Sequence, residues 1–251
     1  MSEPKTEIVF LGNRKRTALL RRRDAVQLLG WVAVWIPILA FTQDGGFLGL
    51  DSAQSIWAAL NRLSALVATS LLIVHIALVA RIPWVESVLG LDKLTASHKK
   101  LGKPILYLLF VHLFAAAANY SLIDQGSMLD ALVVLNTNYL SIALATIGLV
   151  LMTLVVFTSI RAARKRLSYE AWYIIHLVSY LAIFASIPHQ YEFGTDFLNQ
   201  PLLQSYFTLL YVFVGANLIW FRLLQPVVLS LASGLKVAAV NAQPDQNLSN
   251  N

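Results

Sequence analysis

The sequence predicts an all-α integral membrane protein, a six-helix bundle with both termini cytoplasmic. Three observations predict it. Apolar residues make up 57% of the chain and charged residues 13%, with a mean hydropathy of +0.65, whereas a soluble domain carries about 25% charged residues. The apolar residues gather in six runs, each close to the ~20 residues a helix needs to cross ~30 Å of hydrocarbon. Lys and Arg fall on one side of those runs.

Residues 1–24 read as a basic cytoplasmic segment. They hold no apolar stretch followed by a small-residue cleavage site, so they are not a cleaved signal peptide. The six spans within 25–225 are Ala25–Thr42, Ile56–Ala80, Leu101–Tyr120 (with a polar helical start near Ser97), Tyr139–Ile160, Trp172–Pro188 and Leu202–Leu224. Short connections make sequence neighbours antiparallel neighbours in space. Residues 226–251 read as a cytoplasmic tail.

Charge sets the orientation. Arg14, Lys15, Arg16, Arg21, Arg22 and Arg23 precede the first span. Arg81, Lys93, Lys99, Lys100 and Lys103 surround the second connection, and Arg161, Arg164, Lys165 and Arg166 fill the fourth. The odd-numbered connections, Gln43–Ser55, Ser121–Asn138 and His189–Pro201, contain neither Lys nor Arg. By the positive-inside rule both termini are cytoplasmic. The net charge of +6 is then a matter of topology and not a nucleic-acid signal. Asp44, Asp51, Asp124, Asp130, Glu192 and Asp196 lie in the outer loops, either to attract a cation such as ferric ion or as ordinary outer-loop composition.

The chain has no Cys, which excludes disulfides, thiolate ligands and cysteine-held iron–sulfur clusters. It has five His, and ionisable residues inside a membrane are functional hypotheses by default. His98 and His112 are 14 apart on the third span; His176 and His189 are 13 apart on the fifth. Both spans run from inside to outside, so His98 and His176 share the inner depth and His112 and His189 the outer. At 1.5 Å per residue the two layers lie ~20 Å apart. Two imidazoles at one depth on facing helices suit the axial positions of a b-type haem, and two such layers suit two stacked haems. The competing reading is four core histidines bonded to neighbours.

At ~100° per residue, 14 residues return to within ~40° of the starting face, whereas 13 miss it by ~140°. Pro188 precedes His189, so His189 is expected from a distorted last turn. His75 lacks a depth-matched partner and reads as structural or haem-adjacent. Trp172, Tyr173, Phe110 and Phe114 are either packing bulk or faces for a porphyrin.

These residues resemble the ferric reductase-like transmembrane domain shared by NADPH oxidases and ferric reductases, over roughly Arg62 to Pro226. His98-Lys99-Lys100-Leu101-Gly102 followed by His112 is similar to that family's third-helix motif. Tyr169-Glu170-Ala171-Trp172-Tyr173 followed by His176 and His189 is similar to its fifth-helix motif. The unequal 14/13 spacing is shared too. Double-haem respiratory cytochromes have a similar histidine pattern without the Tyr-Glu-x-Trp-Tyr lead-in.

The resemblance implies a di-haem electron conduit. Electrons would pass from NADPH to FAD on a cytoplasmic dehydrogenase domain, then across the membrane to an external acceptor, ferric ion or oxygen. His98 and His176 would ligate the inner haem iron, His112 and His189 the outer one. Arg62 and Arg81 would bind haem propionates through charge-assisted bonds; for Arg81 the alternative is a plain cytoplasmic anchor. Oxidases of the family often carry a further His one turn beyond the outer ligand of the third helix. That place is Ala116 here, which weakens the case for dedicated superoxide production.

Arg222 and Pro226 resemble the family's exit from the sixth helix, and Val227–Val240 the start of the first strand of a flavin domain. No Gly-rich nucleotide fingerprint follows. FAD and NADPH are therefore expected on a missing domain or a partner protein. Two other readings stand beside the first: a haem-bearing membrane subunit fed by quinol or a separate flavoprotein, and a non-redox six-helix membrane protein.

Overall fold

The computed structural model describes the backbone of residues 5–233 and side chains from Arg16 onward, Arg161 excepted. Among the described residues the secondary structure is helical. The elements are α1 (Lys5–Gln43), α2 (Ala53–Ala77), α3 (Pro83–Leu89), α4 (Leu91–Asp124), α5 (Met128–Asn138) and α6 (Leu140–Ser159). They continue with α7 (Arg161–Arg164), α8 (Tyr169–Phe193), α9 (Thr195–Asn199), α10 (Pro201–Leu218), a π-helical turn (Ile219–Leu224) and α11 (Gln225–Ser233).

Six of these helices are long and apolar enough to cross a membrane: Arg16–Gln43 of α1, then α2, α4, α6, α8, and the continuous helix Pro201–Ser233. Large apolar side chains such as Leu140, Phe184, Leu202 and Leu209 stay exposed on the outside of the bundle. That is the surface a lipid solvent selects.

Two antiparallel pairs form the centre, α2 against α4 and α6 against α8. Their contact faces are built from small residues. Ala68, Ser70, Ala115, Ala117 and Ala118 are buried between helices, because small side chains let transmembrane backbones approach closely. Gly148 of α6 is the extreme case. A Cβ there would sit 2.6 Å from the Ala182 carbonyl oxygen of α8. Around Phe41, Leu66, Ile73, Phe197, Leu203, Phe207 and Val214 a denser cluster ties α1, α2, α9 and α10 together.

The helix ends differ from the sequence expectation where charge and hydropathy disagree with backbone geometry. The third span starts at Leu91 and not near Ser97, so Lys93 sits on α4 together with Lys99, Lys100 and Lys103. The second connection also contains α3, opened by Pro83 at its first turn. The third connection, 121–138, contains α5, capped by a reciprocal Ser127–Asp130 box. The fifth span, expected to end at Pro188, continues as α8 to Phe193. His189 therefore stands about one turn inside that end. Residues 227–233 extend the sixth helix as α11, where the start of a strand is expected from the sequence; the rest of that stretch, 234–240, lies outside the described residues.

Candidate functional site

The four matched histidines meet as two pairs. His98 of α4 faces His176 of α8 with ring centroids 6.0 Å apart and planes inclined by 65°. His112 of α4 faces His189 of α8 at 6.3 Å and 36°. The 14 residues between His98 and His112 separate the pairs by ~21 Å along α4.

Each α4 histidine is fixed by a backbone carbonyl of α2. His98 Nδ1 lies 3.1 Å from the His75 carbonyl oxygen, and His112 Nδ1 lies 3.1 Å from that of Asn61. A carbonyl only accepts, so each Nδ1 carries the proton and donates. Nε2 is left with its lone pair. Asn61 and His75 are themselves 14 residues apart on the antiparallel helix, so the spacing of the carbonyls repeats the spacing of the imidazoles.

On α8, His176 Nδ1 lies 3.4 Å from Ser159 Oγ at the end of α6. That hydroxyl donates to the Val155 carbonyl at 2.7 Å and accepts from Trp172 Nε1 at 3.2 Å. Its one proton is committed, so His176 Nδ1 is the donor. His189 Nδ1 is buried without a well-formed hydrogen bond; the Ser186 carbonyl on the preceding turn is the acceptor beside it. Bound through the imidazole Nε2, a metal is a standard partner for a histidine whose Nδ1 is tied down this way.

The family resemblance implies haem, and the residues fit it. Two imidazole nitrogens on opposite sides of one metal ion, each about 2 Å from it, place their ring centroids roughly 6 Å apart. The pairs measure 6.0 and 6.3 Å. Beside the second pair lies a cavity of ≈ 230 Å³, lined by His112, His189, Asn61, Arg62, Gly148 and Asp196 among others. Among the described residues no three His, Asp or Glu side chains converge as a bare-metal site, so each pair offers two ligands.

Arg62 sits on that cavity but is not free. Its Nε and one Nη donate to the two oxygens of Asp196 at 3.0 and 2.7 Å, and the same Nη reaches Asp44 at 2.6 Å. Its guanidinium also lies 5.1 Å from the centre of the Phe41 ring. Asp44 and Asp196 are thus ion-pair partners, a role their sequence spacing does not signal. Arg81 is outside α2, in a turn with φ 61°, and is bonded to Glu86 of α3 at 3.1 Å with 44% of its side chain exposed. On the π-helical turn Arg222 lies within electrostatic reach of both His98 and His176, and its guanidinium approaches the Val79 carbonyl at 3.4 Å.

His75 is a correction to the sequence reading. It has a partner at its own depth: its ring stacks on that of His98, with centroids 3.6 Å apart and planes within 17°. Counting back six residues from Arg81 gives its depth, but only the α2–α4 register brings the rings together. Trp172 stacks on His176 at 4.9 Å and 28°, and the Arg164 guanidinium lies 4.8 Å from the centre of the Trp172 ring. Phe114 packs edge-on against Trp57, and Phe110 is exposed.

No curated protein and no solved structure matches the chain. Residues 64–187 match the family model described as the ferric reductase like transmembrane component. The matched stretch takes in His75, His98, His112 and His176 and stops two residues before His189. Over that stretch, which runs from within α2 into α8, the chain is similar to the ferric reductase like transmembrane component.

Proposed function

We propose that this membrane electron-transfer component is a di-haem b-type conduit. His98 and His176 would ligate one haem iron and His112 and His189 the other. The observation that carries the reading is the pair of imidazole spacings, 6.0 and 6.3 Å, at two depths of one bundle. Haem would supply a one-electron ferric/ferrous couple at each depth.

The chain's own residues do the rest. The carbonyls of His75 and Asn61 and the hydroxyl of Ser159 hold three Nδ1 protons and so aim three Nε2 lone pairs. The lipid-facing apolar shell keeps water from both layers. Arg62 is the cation available to a propionate at the His112 layer, in exchange for Asp44 or Asp196. At the His98 layer Arg81 is occupied by Glu86, and Arg222 joins it as a candidate.

The positive-inside charge pattern supports a topology in which both termini, and with them the His98 layer, would lie at the cytoplasmic face of the cell membrane. Reducing equivalents would enter there from a flavin/NAD(P)H dehydrogenase domain or a partner protein. The acceptor, ferric ion or oxygen, would be met on the side of Arg62, Asp44 and Asp196.

The test is spectroscopic. Purified protein should show a b-type α-band on reduction and two haems per chain in a pyridine assay. Replacing His112 or His189 with Ala should leave one haem, held by the other layer. Absence of haem from the wild-type protein would overturn both redox readings in favour of a non-redox membrane protein. One haem per chain, unchanged by these substitutions, would refute two layers.

A further inference from the structure

We propose that His75 is a positioning residue that fixes the ring plane of His98. The inference rests on the reading of His98 as a haem ligand and concerns what sets that ligand's orientation.

His75 touches His98 twice. Its carbonyl takes the Nδ1 proton at 3.1 Å, which settles the tautomer. Its own ring lies face to face on the His98 ring at 3.6 Å, which opposes rotation of that ring about its bond to Cβ. The hydrogen bond alone leaves such rotation open, because a carbonyl accepts over a broad range of directions. At the other layer Asn61 supplies only the carbonyl to His112. Its side-chain Oδ1 is buried without a partner, and no aromatic ring stacks on His112 among the described contacts. The two layers are therefore built differently, one with its ligand held in tautomer and plane, the other in tautomer alone.

The cost of this arrangement also points to the ring and not to its polar atoms. His75 Nδ1 is buried and unpartnered, which is unfavourable for a ring chosen only to fill space. Gly102 of α4 faces the ring; a Cβ on Gly102 would lie 3.7 Å from His75 Cε1, in ordinary contact with it. A flat face stacked at this distance is what can restrain a neighbouring imidazole.

In a low-spin ferric haem with two imidazole ligands, the angle between their planes governs the spread of the electron paramagnetic g values. With 65° at the His98 pair and 36° at the His112 pair, haem-loaded protein should give two distinct low-spin signals, the more axial one from the His98 layer. Three variants separate the causes. H75A and H75L, the second of similar bulk but not flat, should shift or broaden the largest g value of the more axial signal. H75F keeps a flat ring and removes the unpartnered nitrogen, so it should fold at least as well and retain the wild-type signal. The other signal should stay in place throughout.

A wild-type signal in H75A or H75L would overturn the role of the ring, as would an H75F signal displaced as far as that of H75L. A wild-type protein without low-spin ferric signals would instead sink the haem reading itself and this inference with it. The two failures are distinguishable.

Discussion

Arg62 grips Asp196 through both carboxylate oxygens, at 3.0 Å from Nε and 2.7 Å from Nη, although 134 residues separate them. The pair joins α2 to α9 at the end of the cavity, and Asp44 completes it from the end of α1. The side chain of Asp196 is only 6% exposed, that of Asp44 32%. The two acids are therefore not equivalent.

Removing Arg62 should strand the buried Asp196 carboxylate. R62A is expected to destabilise the protein by about 3 kcal/mol, the scale for breaking one partner of a buried ion pair. R62K, which keeps charge but not the planar fork, should lose less. D44N should cost within about 1 kcal/mol, as for a solvent-screened pair. Unfolding in detergent, followed by circular dichroism, gives the order R62A, R62K, D44N. Equal losses for R62A and D44N would contradict the assigned asymmetry.

Gly148 sets how closely α6 and α8 approach. A methyl at that position would meet the Ala182 carbonyl oxygen at 2.6 Å, and that oxygen is backbone and cannot step aside. G148A should therefore cost about 1–3 kcal/mol, as overpacking usually does, and G148V more. Because Gly148 also lines the cavity beside His112 and His189, separation of the helices should lower haem content at that layer before the other. Melting temperature and haem stoichiometry measured on the same preparation check both parts.

Hydropathy reveals the bilayer and not the helix. That is why six spans were legible in the sequence while their ends were not. Asp92, Lys93, Lys99 and Lys100 break the apolar run before Leu101, yet α4 already begins at Leu91, since charged residues are acceptable on a helix that has left the hydrocarbon. The same reasoning carried α8 past Pro188, where bundle neighbours tolerate a missing backbone donor. The four matched histidines could be placed by counting residues from each membrane edge. The contacts of Arg62 with Asp44 and Asp196, and of His75 with His98, could not, because they depend on the register between helices and on the fold of α9. Ser159 escaped notice for the same reason: it precedes His176 by 17 residues and meets it only when α6 and α8 pair.

The cap of α5 should respond to acid in a defined direction. Ser127 donates to Asp130 from both its backbone N–H and its hydroxyl, which holds the exposed carboxyl below its ordinary value of 3.8. A lowered folded-state value means stabilisation that is fully present above 3.8 and is lost as pH falls through the lower value. Amide exchange in α5, compared between wild type and D130N, should differ near neutral pH. The difference should vanish only below the ordinary carboxylate range. A difference that disappears already near pH 6 would show that another group controls this helix.

Ser159 should matter to the His98 layer more than its size suggests. Its hydroxyl accepts from His176 Nδ1 and from Trp172 Nε1 while donating to Val155. S159A removes an acceptor from both rings and leaves the His176 tautomer unassigned. Loss of an outer hydrogen-bond partner of a histidine ligand typically weakens metal binding 10- to 100-fold. The His176 contact is long at 3.4 Å, which places the expected loss of haem retention at that layer near the lower end, about 10-fold. S159T keeps the hydroxyl and should behave as wild type. Haem dissociation measured by transfer to an excess of apo-acceptor protein, with H112A fixed in the background so that only the His98 layer is loaded, isolates the effect. Equal haem release from S159A and S159T would remove Ser159 from the site.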